Sequence, residues 1–427
     1  MDSQDAQRNA AGRSLHGWID PAGAGPGSNP TAVAGRPLSR GTSGAPADAD
    51  GRNRADGPSQ RSDAGMGISV VPEGAILPRL DRAPRRVLFF GKSKSRSRCT
   101  GALVDALQRN GLEVRWRSIP KLRRWMGRRL ALDFVRREFA RFRPDLVFVF
   151  FMDLPEVLLD EFQGRTTIVQ WIEEAFPEFS SRQVEYVRRV DLACFSDPEL
   201  LPRLEELGMR HGCFQMSGFS TRYHYPAKQR RPVRDLAFIG GPGVDRQRAR
   251  FLLELARHWP IDVFGLGWED YRGVHRNLRI RGRVDNHGYR RICASSRIVL
   301  GMNQFNQDRL YFSNRVWLTL ACRGFHLTHH VPGIETLFRR GEHLDWFHDL
   351  DEAVSQIERY LGDEPARERI AEAGWRLAVG QHQYEHRIAS VLDVLAGKIA
   401  PGSGVGGWAA GAPRRFGLLR GDRAGSD

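Results

Sequence analysis

From residue 86 onward, short apolar runs alternate with stretches of helical periodicity. RVLFF (86–90), EVRWRSI (113–119), LVFVFF (146–151), TTIVQWI (166–172) and LACFS (192–196) have strand length, and a further apolar segment surrounds Phe214. Helical patterns fall between them, over about 100–110 and about 121–142. A second series follows, with strands expected at 236–239, 261–264, 278–281, 298–301 and 325–328. Its helices are expected to start near Asp245 and to span 314–322, 334–339, 350–361, 364–378 and 382–397. Continuous apolar runs suit strands buried on both faces, and strand–helix alternation suits parallel sheets. The expectation is an α/β protein of two Rossmann-like domains, 82–225 and 235–398, facing across a cleft. The polar, proline-punctuated segment RYHYPAKQRRPVR (222–234) reads as the linker between them. Ligands of such sheets bind outside the carboxyl ends of the strands.

Composition trims this picture at both ends. Residues 1–80 and 399–427 are rich in Gly, Ala, Ser, Pro, Asp and Arg and hold few large apolar side chains, so both are expected to be disordered tails. No window approaches the ~20 apolar residues of a transmembrane helix. The N-terminus lacks a positive region followed by an apolar stretch, and five cysteines (Cys99, Cys194, Cys213, Cys293, Cys322) are scattered without CxxC spacing. Reduced thiols in a cytoplasmic protein are the expectation.

The net charge is +15, and residues 81–145 alone carry nineteen Lys and Arg against six Asp and Glu. That concentration suits an anionic partner: a phosphorylated substrate, an acidic lipid surface or nucleic acid. The segment 121–143 interleaves Leu122, Trp125, Met126, Leu132, Phe139 and Phe142 with arginines, as peripheral helices on anionic membranes do. A recognisable nucleic-acid module is lacking, so no specific nucleic-acid partner is expected.

Three motifs carry chemistry. In FIGGPGVDRQRARFLLELA (238–256) a strand ends in Gly240 and Gly241 before a helix; glycines let the backbone approach a ligand, and Arg246 in the first turn offers a charge-assisted bond to a diphosphate. Ser313 and Arg315 open the helix of SNRVWLTLACRGF, and arginine presents a planar fork to phosphate oxygens. Gly333, Ile334 and Glu335 lie on the turn after FHLT, where Glu335 is placed to accept sugar hydroxyls or to cap a helix. GKSKSRS (91–97) lacks the upstream glycine of a phosphate loop, and the histidines at 326, 329, 330, 343, 348, 382 and 386 have no zinc-site spacing, so no metal is expected.

With DLAFIGG, VFGLGW, YRRICASSRIVLGMN, SNRVWLTLACRGFHLT, GIETLFRRGEHLDWFHDLDEA and ERIAEAGWRLAVGQHQYEHR in this order, residues 235–390 resemble the donor-binding domain of two-Rossmann (GT-B) glycosyltransferases, nearest the spore-maturation-protein-like, family-1-like group. The first half fits more loosely, through RRVLFFG, RPDLVFVFF, TTIVQWIEEAFPEF and VDLACFSDPEL. The resemblance implies a nucleoside-diphosphate sugar bound mainly by the second domain, at Gly240, Gly241, Arg246, Ser313, Arg315 and Glu335. It implies an envelope glycan, polysaccharide, lipid-linked or protein acceptor bound by the first domain, and no cofactor. An inverting transferase also needs a base near the acceptor hydroxyl, for which Asp153, Glu173 and Glu174 are the candidates. Aligning SNRVWLTLACRGF with the family's S-x-R-x-F-E-A-x-A-C-G-x-F puts Leu318 where a ribose-binding glutamate usually stands and Arg323 on a glycine. The alternative is a noncatalytic scaffold of the same fold, binding a nucleotide, glycan or anionic membrane; Leu318 favours it, while Ser313, Arg315 and Glu335 oppose it.

Overall fold

The computed structural model describes residues 83–92, 99–173 and 179–398. Both expected tails, residues 93–98 and Glu174 lie outside the described residues.

The first domain is built on β1 (Arg86–Phe90), β2 (Glu113–Arg117), β3 (Leu146–Phe150), β4 (Thr167–Ile172), β5 (Leu192–Phe195) and β6 (Gly212–Phe214). These six strands are parallel, in the order β2-β1-β3-β4-β5-β6. Every residue of β3 and β4 is buried, which is why β3 reads as an unbroken apolar run and β4 as one interrupted only by Thr167 and Gln170. The helices are α1 (Cys99–Arg109), α2 (Ile119–Met126), α3 (Arg128–Phe142), α4 (Glu156–Phe162), α5 (Ser181–Arg188) and α6 (Leu200–Glu206). The single helix expected over 121–142 is therefore two. Gly127 adopts φ 79°, a left-handed value that only glycine takes at no steric cost, and it interrupts the ladder between α2 and α3.

The second domain follows the same plan with β7 (Arg234–Ile239), β8 (Ile261–Phe264), β9 (Leu278–Gly282), β10 (Ser296–Gly301), β11 (His326–His329) and β12 (Asp345–Phe347), in the parallel order β12-β11-β10-β7-β8-β9. Its helices are α7 (Gln247–Leu255), α8 (Asn286–Ser295), α9 (Arg315–Ala321), α10 (Leu350–Gly362), α11 (Glu364–Gln381) and α12 (Tyr384–Leu395). The helix expected over 334–339 is only a 3₁₀ turn, Ile334–Thr336, entered through Gly333 at φ 87°. The edge strand β12 completes the sheet.

The two sheets share one compact unit. A single apolar cluster runs from Phe195, Leu204 and Met216 of the first domain through Phe219 to Val316, Trp317 and Leu320 of α9. Helix α12 returns to the first domain: Tyr384, Ile388, Val391, Val394 and Leu395 pack with Val87, Phe89, Leu103, Leu107 and Leu146. Arg109 on α1 pairs with Glu385 at 3.0 Å and fixes its register.

Candidate functional site

Each sheet has a point where successive connections leave in opposite directions. In the first it lies at β1, between β2 and β3; in the second at β7, between β8 and β10. Such points open a crevice at the carboxyl ends of the strands. Lys92 follows β1, Asp153 follows β3, Gly240 follows β7 and Asn303 follows β10. Between the two ends lies a cavity of about 300 Å³, lined by Lys92, Cys99, Asp153 and Glu173 on one side and by Arg248, Ser313, Arg315 and Leu318 on the other. Ser217–Ser220, Tyr223 and His224, on the segment joining the domains, line its floor together with Tyr384.

The wall that the second domain contributes is organised around two buried arginines. Asn303 Oδ1 accepts the Ser313 N–H at 2.7 Å and sets the approach to α9. The Ser313 hydroxyl in turn accepts the Arg315 N–H at 3.5 Å. Arg315 donates from Nη2 to the Met302 carbonyl at 3.3 Å and lies 6.0 Å from the centre of the Phe238 ring. Gly240 makes room for it, since a Cβ there would stand 2.8 Å from Arg315 Nη1. Arg248, reaching in from α7, donates to the Gly241 carbonyl at 3.5 Å; its Nε is buried without a partner and no carboxylate pairs with it among the described residues. Burial, then the charge of Arg315, pulls the Arg248 pKa down to about 9. Burial likewise lowers that of Arg315. Arg248 thus lies against the like charge of Arg315 with no carboxylate of its own among the described residues, so an anion bound at this wall would offset its burial and the repulsion.

The wall that the first domain contributes carries two carboxylates with different partners. Asp153 Oδ2 accepts the Lys92 backbone N–H at 2.8 Å, and Lys92 Nζ stands 3.9 Å from Oδ1. Burial raises the Asp153 pKa while Lys92 opposes the rise. Glu173 instead accepts from the Cys99 thiol (2.9 Å), the Trp171 indole (2.9 Å) and the Tyr384 hydroxyl (3.2 Å). Burial raises its pKa against those three donors, and burial, with the neighbouring carboxylate, pushes the Cys99 thiol up as well. Glu173 is thus a hub that ties α1, β4 and α12 together, with its lone pairs already engaged.

Of the residues expected from sequence, the structure brings Asp153, Glu173, Ser313 and Arg315 to one cavity, with Gly240 and Gly241 directly behind the arginines. It does not bring Arg246 or Glu335 there. Arg246 sits at φ 55° before the first turn of α7 and turns outward to the exposed Asp270 at 3.3 Å. Glu335, on the exposed 3₁₀ turn, bonds to His330 Nε2 at 2.6 Å. Glu174 lies outside the described residues. Leu318 does line the cavity, half-buried, so the wall is apolar where the resembling family carries a carboxylate.

Two cavity residues had no sequence signal of their own. Arg248 sits inside QRARFLLEL, where it reads as one more solvated arginine on a helix. His224 sits in a polar linker, yet it is buried, and neither ring nitrogen meets a hydrogen-bond partner among the described residues. Burial holds its imidazole neutral, with the pKa drawn to about 4. Among the described residues no three His, Cys, Asp or Glu side chains converge to hold a metal.

Residues 246–393 match the family model described as glycosyl transferase-like. No curated protein sequence matches the chain. Similar solved structures include HepE of Anabaena in complex with UDP and glucose, at 13% identity and a TM-score of 0.51, covering 72% of this chain and 99% of that one. Sucrose-phosphate synthase of Thermosynechococcus elongatus is similar at 10% identity and a TM-score of 0.55, covering 74% and 100%. A glycosyltransferase of Rickettsia africae is similar at 8% identity and a TM-score of 0.54, covering 74% and 99%.

Proposed function

We propose, starting from the chain's place among the GT-B glycosyltransferases, that it moves a sugar from a nucleoside diphosphate held by the second domain to an acceptor hydroxyl presented by the first. The observation that carries this reading is the pair Arg248 and Arg315, two buried cations on one wall of the interdomain cavity. A diphosphate gains charge as the bond to the anomeric carbon breaks, and fixed cations in a dry site stabilise that charge without reorganising. HepE, which has the same fold, was solved with UDP and glucose, in keeping with a nucleotide-sugar donor.

In this reading Asp153 is the base. Its carboxylate takes the acceptor hydroxyl proton as the oxygen attacks the anomeric carbon and the diphosphate departs toward Arg248 and Arg315. Glu173 positions the Cys99 and Tyr384 side chains at the cavity floor rather than moving a proton, because its oxygens already accept three hydrogen bonds. The acceptor class is a glycan, lipid-linked or protein hydroxyl of the cell envelope, reached at the cytoplasmic face.

The test is a thermal-shift screen against UDP-, GDP-, dTDP- and CMP-sugars, since a ligand that binds only the folded state raises its apparent stability. Arg248→Ala or Arg315→Ala removes charge-assisted hydrogen bonds and should weaken the response by roughly 1.5–3 kcal/mol, about 10- to 100-fold in affinity. Asp153→Asn should leave donor binding intact and lower turnover by about 10²–10⁴. No shift with any donor, or an unchanged shift in both arginine variants, would sink the assignment. Leu318 keeps a second reading open, a scaffold that binds the nucleotide without turnover; donor binding with no transfer or donor hydrolysis would select it.

A further inference from the structure

Away from the cavity, the outer face of the first domain concentrates positive charge, including four arginines that have no ion-pair partner among the described residues. On α2 and α3 the side chains of Arg123, Arg124, Arg128 and Arg129 are exposed and form no ion pair among the described residues. Several arginines elsewhere on the same domain are paired, among them Arg136 with Glu161 at 2.6 Å, Arg182 with Glu156 at 2.7 Å and Arg189 with Asp160 at 3.4 Å. A merely solvated basic face would not explain what stands among the unpaired four. Trp125 is 80% exposed and Leu130 62% exposed, the largest such exposures in these helices. Between the helices and α4 lies a second cavity of about 370 Å³, lined by Arg123, Arg128 and Leu132 opposite Pro155, Val157 and Arg182. Glu156, also on its wall, is already matched by Arg182. This cavity begins two residues beyond Asp153, on the acceptor side of the cleft.

From this geometry we infer that α2, α3 and the start of α4 form a docking face for a bilayer with anionic headgroups. Trp125 and Leu130 enter the interfacial layer, the unpaired arginines meet lipid phosphates, and one phosphate seats between Arg123 and Arg128. Charge complementarity selects this occupant: an apolar protein partner would leave four cations unmatched, whereas anionic lipid supplies both the charge and an apolar layer for Trp125 and Leu130. No helix among the described residues is long and apolar enough to cross a membrane, so the contact is peripheral. Docking here would hold the acceptor side of the cleft against the lipid surface. The inference deepens the transferase reading by placing its acceptor at a membrane, but it is tested without turnover.

The test is co-sedimentation of the full chain with vesicles of phosphatidylcholine alone or mixed with phosphatidylglycerol, at low and high salt. The expected result is binding to the mixed vesicles only, weakened by salt. Arg123→Gln with Arg128→Gln should lower partitioning roughly thirtyfold, at about fivefold per cation, and Trp125→Ala should lower it severalfold. The ligand-free melting temperature of these variants should stay that of the parent, which shows that they fold and separates this inference from the fate of the transferase reading. Equal binding to both vesicle types, no vesicle binding, or unchanged binding by the variants would overturn it. So would displacement from vesicles by inorganic phosphate at a strength equal to sodium chloride of higher ionic strength, which would assign the cavity to a soluble phosphate, or equally tight binding of RNA, which would mark the face as nonspecifically basic.

Discussion

At the scale of single residues, the site turns on which charges are matched. Asp153 is buried yet kept near a cation, because Lys92 gives it a backbone N–H at 2.8 Å and an ammonium at 3.9 Å. The ammonium favours the carboxylate, while burial disfavours it. A base works only when deprotonated, so Lys92→Met, which keeps the backbone bond and removes the cation, should raise the Asp153 pKa further. The acid limb of a kcat/KM profile should move to higher pH, lowering activity on its acidic side and leaving the plateau; an unmoved limb would show that another group is the base. The sequence made this cavity legible only in part. A glycine loop followed by arginines pointed to a basic wall, but periodicity does not say which arginine turns inward. Arg246, at φ 55°, points to Asp270, and Arg248, two positions on, occupies the wall. Leu318 was readable as a departure from the family pattern, and the structure places it on the cavity wall. His224 was not readable at all, because its burial arises from two domains closing over a linker.

Among the elements, what was legible is what burial on both faces makes legible. β3 appears as an unbroken apolar run, and β4 as one broken at Gln170, because helices cover both sides of the sheet. β12 has three residues, too few for any period, and it takes its strand from pairing Asp345, Trp346 and Phe347 with β11. The 121–142 periodicity carries through Gly127 without a mark, although that residue's φ of 79° splits the helix. A second glycine shows the opposite case, where helix continues and space is what matters. In α11, a Cβ on Gly374 would stand 2.1 Å from the His343 carbonyl oxygen and 2.7 Å from the Leu320 side chain of α9. Gly374→Ala gains about 1 kcal/mol of helix propensity but must push α11 off a backbone atom, an overpacking cost of about 1–3 kcal/mol. The expected net effect is destabilisation by about 1–2 kcal/mol, read as a lower urea midpoint at unchanged slope. Since α9 also carries Arg315, the donor-dependent thermal shift should shrink with it. A raised midpoint would show that the contact yields at little cost.

Across the whole molecule, the chain does not simply run through one domain and then the other. After α11 it bridges back at Phe219 and Gln383, with Tyr384 N–H donating to the Phe219 carbonyl at 3.0 Å, and α12 then closes the core of the first domain. Tyr384, Ile388, Val391, Val394 and Leu395 are all buried in that core. At about 1.5–3 kcal/mol for each large apolar side chain, their burial amounts to at most about 15 kcal/mol. That is comparable with the ~5–15 kcal/mol by which a whole domain is stable. Helix α12 therefore acts as a structural part of the domain from which it is farthest in sequence. Truncation after Gln381 should unfold the first sheet and spare the second. Amide exchange would show it directly: in the truncated chain β1 and β3, beneath the lost helix, should exchange faster by orders of magnitude, while β7 and β10 keep most of their protection. Tyr384 also lines the cleft, so the same truncation should abolish the donor-dependent shift only as far as closure of the two domains contributes to it. Faster exchange in β7 and β10, with β1 and β3 unchanged, would instead make α12 a part of the second domain and leave the first able to fold from its own residues.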